Sequence, residues 1–296
     1  MKTVLKMVSL LILFSLAVSS SAEAAVMKEL DQMYKSGISS QSPLEYMVRE
    51  QPFGEMLFWP EVRILMPGKA PFQVTDLDTG LTFNVQKRAG KQHADVQPLT
   101  TSDTEIMKEI YEGKWSWKRR AVLVHLDGRM IAASMNGMPH GAGALSNGFP
   151  GHFCIHFAGS TTHRKNNMDP AHQFMVLKAA GKLEEYRNKM GPYEVVELFL
   201  TALHQDDLYL LRVAQPEYIT QNGKEMLQEI SKISIVSKHV EDHETVPSPV
   251  FALEVPVDLK YSARGEGTKS GLFTFGLKKD IITNRWEIYS ENFLER

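Results

Sequence analysis

The chain of 296 residues contains a single cysteine, Cys154, so no internal disulfide can form. After residue 24 it has no apolar run long enough to cross a bilayer, which needs about 20 residues. It has no large charge of either sign: 33 basic against 35 acidic residues give a formal net charge of −2, so no global basic field draws it to nucleic acid. Aromatic residues are not interleaved with basic runs as in single-strand binders. There is no HExxH and no paired CxxC, and the glycine-rich stretch Gly141–Gly151 lacks the Gly-Lys-Ser/Thr of a phosphate loop. Together these absences count against a disulfide scaffold, a nucleic-acid binder and a nucleotide-phosphate site.

The N-terminus carries an export signal. Lys2 and Lys6 form a short positive region, Val8–Val18 is an apolar stretch too short for a comfortable membrane span, and Ala22-Glu23-Ala24 is a cleavage signal. Residues 1–24 therefore read as a signal peptide, and the mature protein as secreted or associated with the cell wall, with no stable transmembrane segment after cleavage. A free thiol is a liability in an oxidising compartment, so the lone Cys154 of an exported chain points to chemistry.

The remaining 272 residues suffice for two domains at about 100–200 residues each, and 43% hydrophobic residues supply the cores. Residues 25–60 read as a leader, with helical spacing over Met27–Tyr34. From Val62 the chain reads as strands. One hairpin turns at Asp78-Thr79-Gly80 and another at Asp127-Gly128. A short helix over Asp103–Tyr111 lies between them, capped by Thr101, Ser102 or Asp103. HFCIHF is a short strand, and Asp169-Pro170 opens a helix running to about Arg187. Gly191-Pro192 marks a boundary. Beyond it come a helix over Tyr193–His204, a second helical stretch after Asp206-Asp207, and strands at 233–240, 250–261, 270–278 and 284–290. The expected class is α+β: a β-rich, sandwich-like domain over 61–190, then a small domain over 191–296 with helices packed on a curved antiparallel sheet.

The chemistry concentrates in PHGAGALSNGFPGHFCIHFAGSTTH, which holds Cys154 and four of the ten histidines, His140, His152, His156 and His163. Alternate side chains of a strand share a face. His152, Cys154 and His156 should therefore point one way and Phe153, Ile155 and Phe157 into the core. A neighbouring imidazole activates a thiol by taking its proton or pairing with the thiolate, and free amides of the preceding loop suit a developing oxyanion. A different use of the same groups is a zinc site drawn from His93, Asp95, His152, Cys154 and His156, with His140 or His163 as further donors, because imidazole, carboxylate and thiolate all ligate zinc. Upstream, Lys114-Trp115-Ser116-Trp117-Lys118-Arg119-Arg120 combines aromatic faces suited to sugar stacking with four positive charges, or else is an amphipathic strand entry. His239 and His243 flank a loop in the second domain.

His140-Gly141, a glycine-rich spacer, and His152-Phe153-Cys154-Ile155-His156 resemble the signature of the L,D-transpeptidases, the cysteine enzymes that cross-link peptidoglycan stems. Gly151 stands where that signature has Ser/Thr, Phe153 where it has glycine, and His156 where it has Arg/Asn. The resemblance implies a β-sandwich-like domain, Cys154 as the acylated nucleophile and His152 as its base. It also places His140 at the wall of the site and His156 at the position that meets the stem peptide. It implies a peptidoglycan or cell-wall peptide as partner and no cofactor. The longer string from HADVQPLT to STTH resembles a set of exported bacterial proteins. The order of elements after residue 191 is similar to the nuclear-transport-factor-like (cystatin-like) fold, which implies a homodimer surface or a small-ligand site. The readings that follow are an exported cysteine acyl transferase or peptidase, a zinc hydrolase or metal-binding protein, and a non-catalytic wall-binding protein. The export reading has a direct check: the secreted chain is expected to begin at Ala25, and mass spectrometry showing an intact Met1 in the mature pool would contradict it.

Overall fold

The computed structural model describes residues 52–66, 68–162, 167–216, 233–240, 250–263 and 267–291. The expected signal peptide, the helical spacing read at 27–34, His163 and His243 lie outside the described residues. In chain order the elements are α1 (Trp59–Leu65), β1 (Pro71–Asp76), β2 (Thr82–Ala89), β3 (Ala94–Pro98), α2 (Thr101–Ile110), β4 (Arg119–Leu126), β5 (Arg129–Asn136) and β6 (Phe153–His156). They are followed by α3 (Pro170–Ala179), α4 (Leu183–Arg187), α5 (Pro192–Gln205), α6 (Leu208–Ala214), β7 (Ile233–Val240), β8 (Ala252–Ala263), β9 (Gly267–Lys279) and β10 (Trp286–Glu291).

Strands β1 to β6 close into one barrel in the order β1-β2-β3-β6-β5-β4, all neighbours antiparallel. The class is mixed α and β with antiparallel sheets, as expected, but the first six strands form a closed barrel and not the expected sandwich. Closure removes the two exposed edges that a sheet of these strands would otherwise carry. Both predicted hairpins are present. Two elements were not foreseen: α1 occupies residues expected to begin the strand region, and β3 runs through a segment read only as a polar cluster. Helix α2 is capped one residue earlier than expected, by Thr100, whose Oγ1 accepts from the Asp103 amide at 3.2 Å while Asp103 accepts from the Thr100 amide at 2.9 Å.

Alternation along the strands builds two cores from one barrel wall. Inward side chains such as Val74, Phe83, Val85, Val96, Val122, Val124, Ile131, Phe153 and Ile155 fill the barrel. Their neighbours Ala121, Leu123 and Ala132 face outward and join a second core with α3, α5, α6 and the inner face of the four-stranded sheet β10-β9-β8-β7. Eight of the ten residues of α3 are buried, as befits a helix enclosed between the barrel wall and α5. The helix expected to run to Arg187 breaks at Gly181. Gly181 has φ +65°, and the bonds Gly181 N to Lys178 O and Lys182 N to Leu177 O close a left-handed helix end that favours glycine.

Within this helix Lys178 is almost fully buried, and its Nζ donates to Asp78 at 2.8 Å and to Asp207 at 2.7 Å. Asp78 lies in the β1–β2 turn and Asp207 caps α6, accepting from the Leu210 amide, so one ammonium ties the barrel to the helical layer. Burial alone would raise the Asp78 carboxyl, but Lys178 and Arg120 outweigh it and hold it below its ordinary value. This part of the clamp is therefore complete above the pKa of an unfolded aspartate, about 4, and is lost as pH falls through the lower folded value. Lys178→Met should cost about 3–5 kcal/mol, because it leaves the buried Asp207 carboxylate without its ammonium and Asp78 with Arg120 alone. Urea denaturation at neutral pH measures this, and a loss below about 1 kcal/mol, the range of an exposed pair, would contradict it.

Candidate functional site

The site is a patch on the outer wall of the barrel where β3, β6 and β5 lie side by side. In β6, Phe153 and Ile155 point into the barrel core, as does Phe157 just beyond it, so Cys154 and His156 face outward as the alternation requires. The register Ala94↔Ile155, Asp95↔Cys154, Val96↔Phe153 sets Asp95 directly across from the thiol. One step along, His93 stacks on His156, with ring centroids 4.3 Å apart and planes within 14°. On the other side Ser134 pairs with His156 and Met135 with Ile155, and the same register continued by one residue brings Asn136 beside Cys154. Asn136 itself pairs with Arg119 of β4.

His140 and His152 reach the patch through a short bridge. Each backbone amide donates to the other's carbonyl at 2.9 Å. Gly151 makes this approach feasible, since it has φ +137° and a Cβ there would lie 2.6 Å from the His140 carbonyl oxygen. The glycine at this position thus has a local reason, whatever a related signature carries there.

Three imidazoles are pinned in the same way. Nδ1 of His140 contacts the Met138 carbonyl at 2.8 Å, that of His152 the Ala142 carbonyl at 3.1 Å, and that of His93 the Thr161 carbonyl at 2.8 Å. A carbonyl only accepts, so each Nδ1 donates and carries the proton. The three Nε2 atoms turn inward. His140 Nε2 lies 3.2 Å from Cys154 Sγ. His93 Nε2 and His152 Nε2 lie 3.2 Å and 3.9 Å from Asp95 Oδ1.

Behind them the stack continues from His156 to His172 of α3, at 3.8 Å and 7°, and His172 Nδ1 sits 2.9 Å from Ser134 Oγ. Burial pushes both rings well below the usual imidazole range, so they are neutral at neutral pH. Asp169 caps α3 through the His172 amide at 3.2 Å and accepts from Arg119 at 2.6 Å. Burial would raise its carboxyl, but Arg119 and these bonds keep it ionised.

Cys154 lies on the expected face but is not exposed: 5% of its surface meets solvent. Its partner is His140, where the resemblance implied His152. Sγ also lies 3.7 Å from Asp95 Oδ1. Burial first, and the Asp95 charge second, push the thiol up, so it rests as a neutral thiol, which leaves the first of the two routes, loss of the proton to an imidazole, and not a standing ion pair. Donor atoms of His93, Cys154 and His156 lie within 4.8 Å of one another. Three of the zinc donors named from the sequence therefore lie together; Asp95 approaches two of them, His93 and Cys154, and His152 is not in the group. The KWSWKRR segment is largely engaged: Trp115 packs edge-on against Phe149, Lys118 pairs with Asp206, Arg119 with Asp169 and Arg120 with Asp76. Trp117 alone of the two tryptophans stays half-exposed, 5.2 Å from the His140 ring.

Sequence reasoning missed Ser134, Asn136, Arg119 and His172. For Ser134 and Arg119 the signal was partly present, since both fall in the predicted hairpin, whereas Asn136 reads as the start of a loop and is in fact the last residue of β5. Only the register across β4, β5 and β6 shows that their face belongs to the thiol.

The Asp95 effect has a measurable sign. Asp95→Asn removes the anion that opposes ionisation, so iodoacetamide should alkylate Cys154 faster than in the parent, by roughly tenfold for each unit by which the thiol falls. An unchanged or slower rate in a variant with native circular dichroism would contradict this. No known protein family matches the chain, and no curated protein or solved structure matches it.

Proposed function

We propose that this chain is an exported cysteine-dependent acyl transferase or peptidase acting on peptidoglycan stem peptides. The observation that carries the reading is the chain of contacts from the Met138 carbonyl through His140 to the Cys154 sulfur. The carbonyl fixes the proton on Nδ1, which leaves the Nε2 lone pair aimed at the thiol 3.2 Å away. That is the arrangement of a nucleophile, its base and an orienting third group. The wall-peptide substrate and the export rest on the sequence resemblance and the N-terminal signal.

Because the thiol rests neutral, activation proceeds by proton transfer during attack. Sγ bonds to the substrate carbonyl carbon as its proton passes to His140 Nε2. The tetrahedral adduct collapses, the C–N bond breaks, and the imidazolium returns that proton to the departing amine. A thioester remains on Cys154. An acceptor amine or water then attacks, giving its proton to His140, and the thiolate leaves and is reprotonated. Transfer and hydrolysis share these steps. Substrate approaches between Trp117 and His152, the more open members of the patch.

The test is incubation with disaccharide–tetrapeptide fragments, read by mass spectrometry of both products and protein. An acyl adduct on Cys154 is expected, lost in Cys154→Ser. His140→Ala should lower turnover by about 10²–10⁴-fold, the usual worth of a general base, and His152→Ala by less. No adduct and no product, or a His140→Ala variant as fast as its parent, would overturn the proposal.

A further inference from the structure

We infer that His93, Asp95, Cys154 and His156 form a site for one thiophilic divalent cation of the zinc class, and that filling it withdraws Cys154 from acyl transfer. The binding claim stands on its own geometry; the withdrawal claim rests on the thiol reading above.

The spacing fits. Zinc bonds of about 2.0–2.3 Å place the donors of a tetrahedron roughly 3.3–3.7 Å apart. His93 Nε2 to Asp95 Oδ1 is 3.2 Å and Asp95 Oδ1 to Cys154 Sγ is 3.7 Å. The donors of His93, Cys154 and His156 lie within 4.8 Å of one another, so His156 is the donor that must shift, its ring turning out of the stack between His93 and His172. His156 is 3% exposed and its Nδ1 is buried with no hydrogen-bond partner, a cost that a ligand bond would remove.

The protonation geometry points the same way. The Thr161 carbonyl fixes the proton of His93 on Nδ1, which turns the Nε2 lone pair toward a carboxylate oxygen at 3.2 Å. Two acceptors that close require a cation between them, either a proton or a metal. A carbonyl holding the far nitrogen of a ligating histidine is the usual outer-shell support of a metal site. Charge balances too. A dipositive ion with one thiolate, one carboxylate and two neutral imidazoles has no net charge, which a buried patch favours. Binding replaces the thiol proton: the S–H bond breaks, a metal–sulfur bond forms, and the proton leaves to buffer. Sulfur held in that bond has no proton to give His140, and the metal draws off the electron density with which it would attack a carbonyl carbon.

The probes are Zn²⁺ and Co²⁺ added to the full mature chain after chelation and removal of the chelator. Competition against a chromophoric chelator should give one Zn²⁺ per chain. His93→Ala and Cys154→Ser should each weaken it by more than tenfold, while His140→Ala, which supplies no ligand, keeps it. Circular dichroism checks each fold, and His156→Ala serves if His93→Ala misfolds. Co²⁺ should give a thiolate-to-metal charge-transfer band that Cys154→Ser lacks. One equivalent of Zn²⁺ should block alkylation of Cys154, and a chelator should restore it. Absence of stoichiometric binding, or equal affinity in both ligand variants, overturns the site. Binding that leaves alkylation unchanged overturns the withdrawal. Turnover of stem peptide by the metal-free protein separates the two readings: activity without zinc binding sinks only this inference, and zinc binding in a metal-free-inactive protein sinks the earlier reading and the withdrawal claim with it but leaves the binding site standing.

Discussion

The site depends on the two-residue period of β6 inside a closed barrel. Phe153 and Ile155 are locked into the barrel core, and a one-residue slip would expose them while burying a thiol and an imidazole in an apolar interior. The hydrophobic side of the strand therefore fixes the chemical side. Cys154 and His156 have no other face to occupy, and the β3 register then brings Asp95 and His93 across from them. The energy that orients the chemistry comes from residues that take no part in it.

The same wall explains why reactivity is held back at rest. Cys154 has one proton and two acceptors near it, His140 Nε2 at 3.2 Å and Asp95 Oδ1 at 3.7 Å. Burial and the carboxylate both oppose ionisation, so an imidazole beside a cysteine does not by itself make a thiolate. What the pair supplies is a direction for the proton once a carbonyl carbon is there to accept the sulfur pair. A thiol kept neutral and 5% exposed is also slow to oxidise.

Much of the architecture was legible because it repeats a local signal. The hairpin turns at Asp78–Gly80 and Asp127-Gly128, the alternation of β8 to β10, and the inward set Phe153, Ile155 and Phe157 follow from period and turn chemistry. Barrel closure was not legible, since it depends on β1 pairing with β4 and β3 with β6, contacts far apart in sequence. Strand β3 was hidden because its alternation, Ala94-Asp95-Val96-Gln97-Pro98, runs for only five residues and rests on a small residue and a proline, too short a period to stand out from a polar loop. The imidazole that contacts the thiol was the sharpest difference. His152 is nearer to Cys154 in sequence, but His140 is nearer in space, because the Gly151 bridge folds one histidine over the other. His172 gave no signal at all: it reaches the patch only through the packing of α3 on the wall.

That packing joins the two halves of the molecule at the site itself. Helix α3 belongs to the second core, yet its first turn supplies His172 to the imidazole stack and its cap, Asp169, holds Arg119 next to Asn136. Its last turn carries Lys178, which binds both the barrel turn and the cap of α6. Outward residues of β4 and β5 divide accordingly. Ala121, Leu123 and Ala132 give α3 an apolar bed, while Ser134 and Asn136, further along β5, turn polar where the bed ends and the patch begins. The second core thus forms part of the ground on which the thiol and its histidines stand, and a displacement of α3 would loosen the back of the site before it touched Cys154.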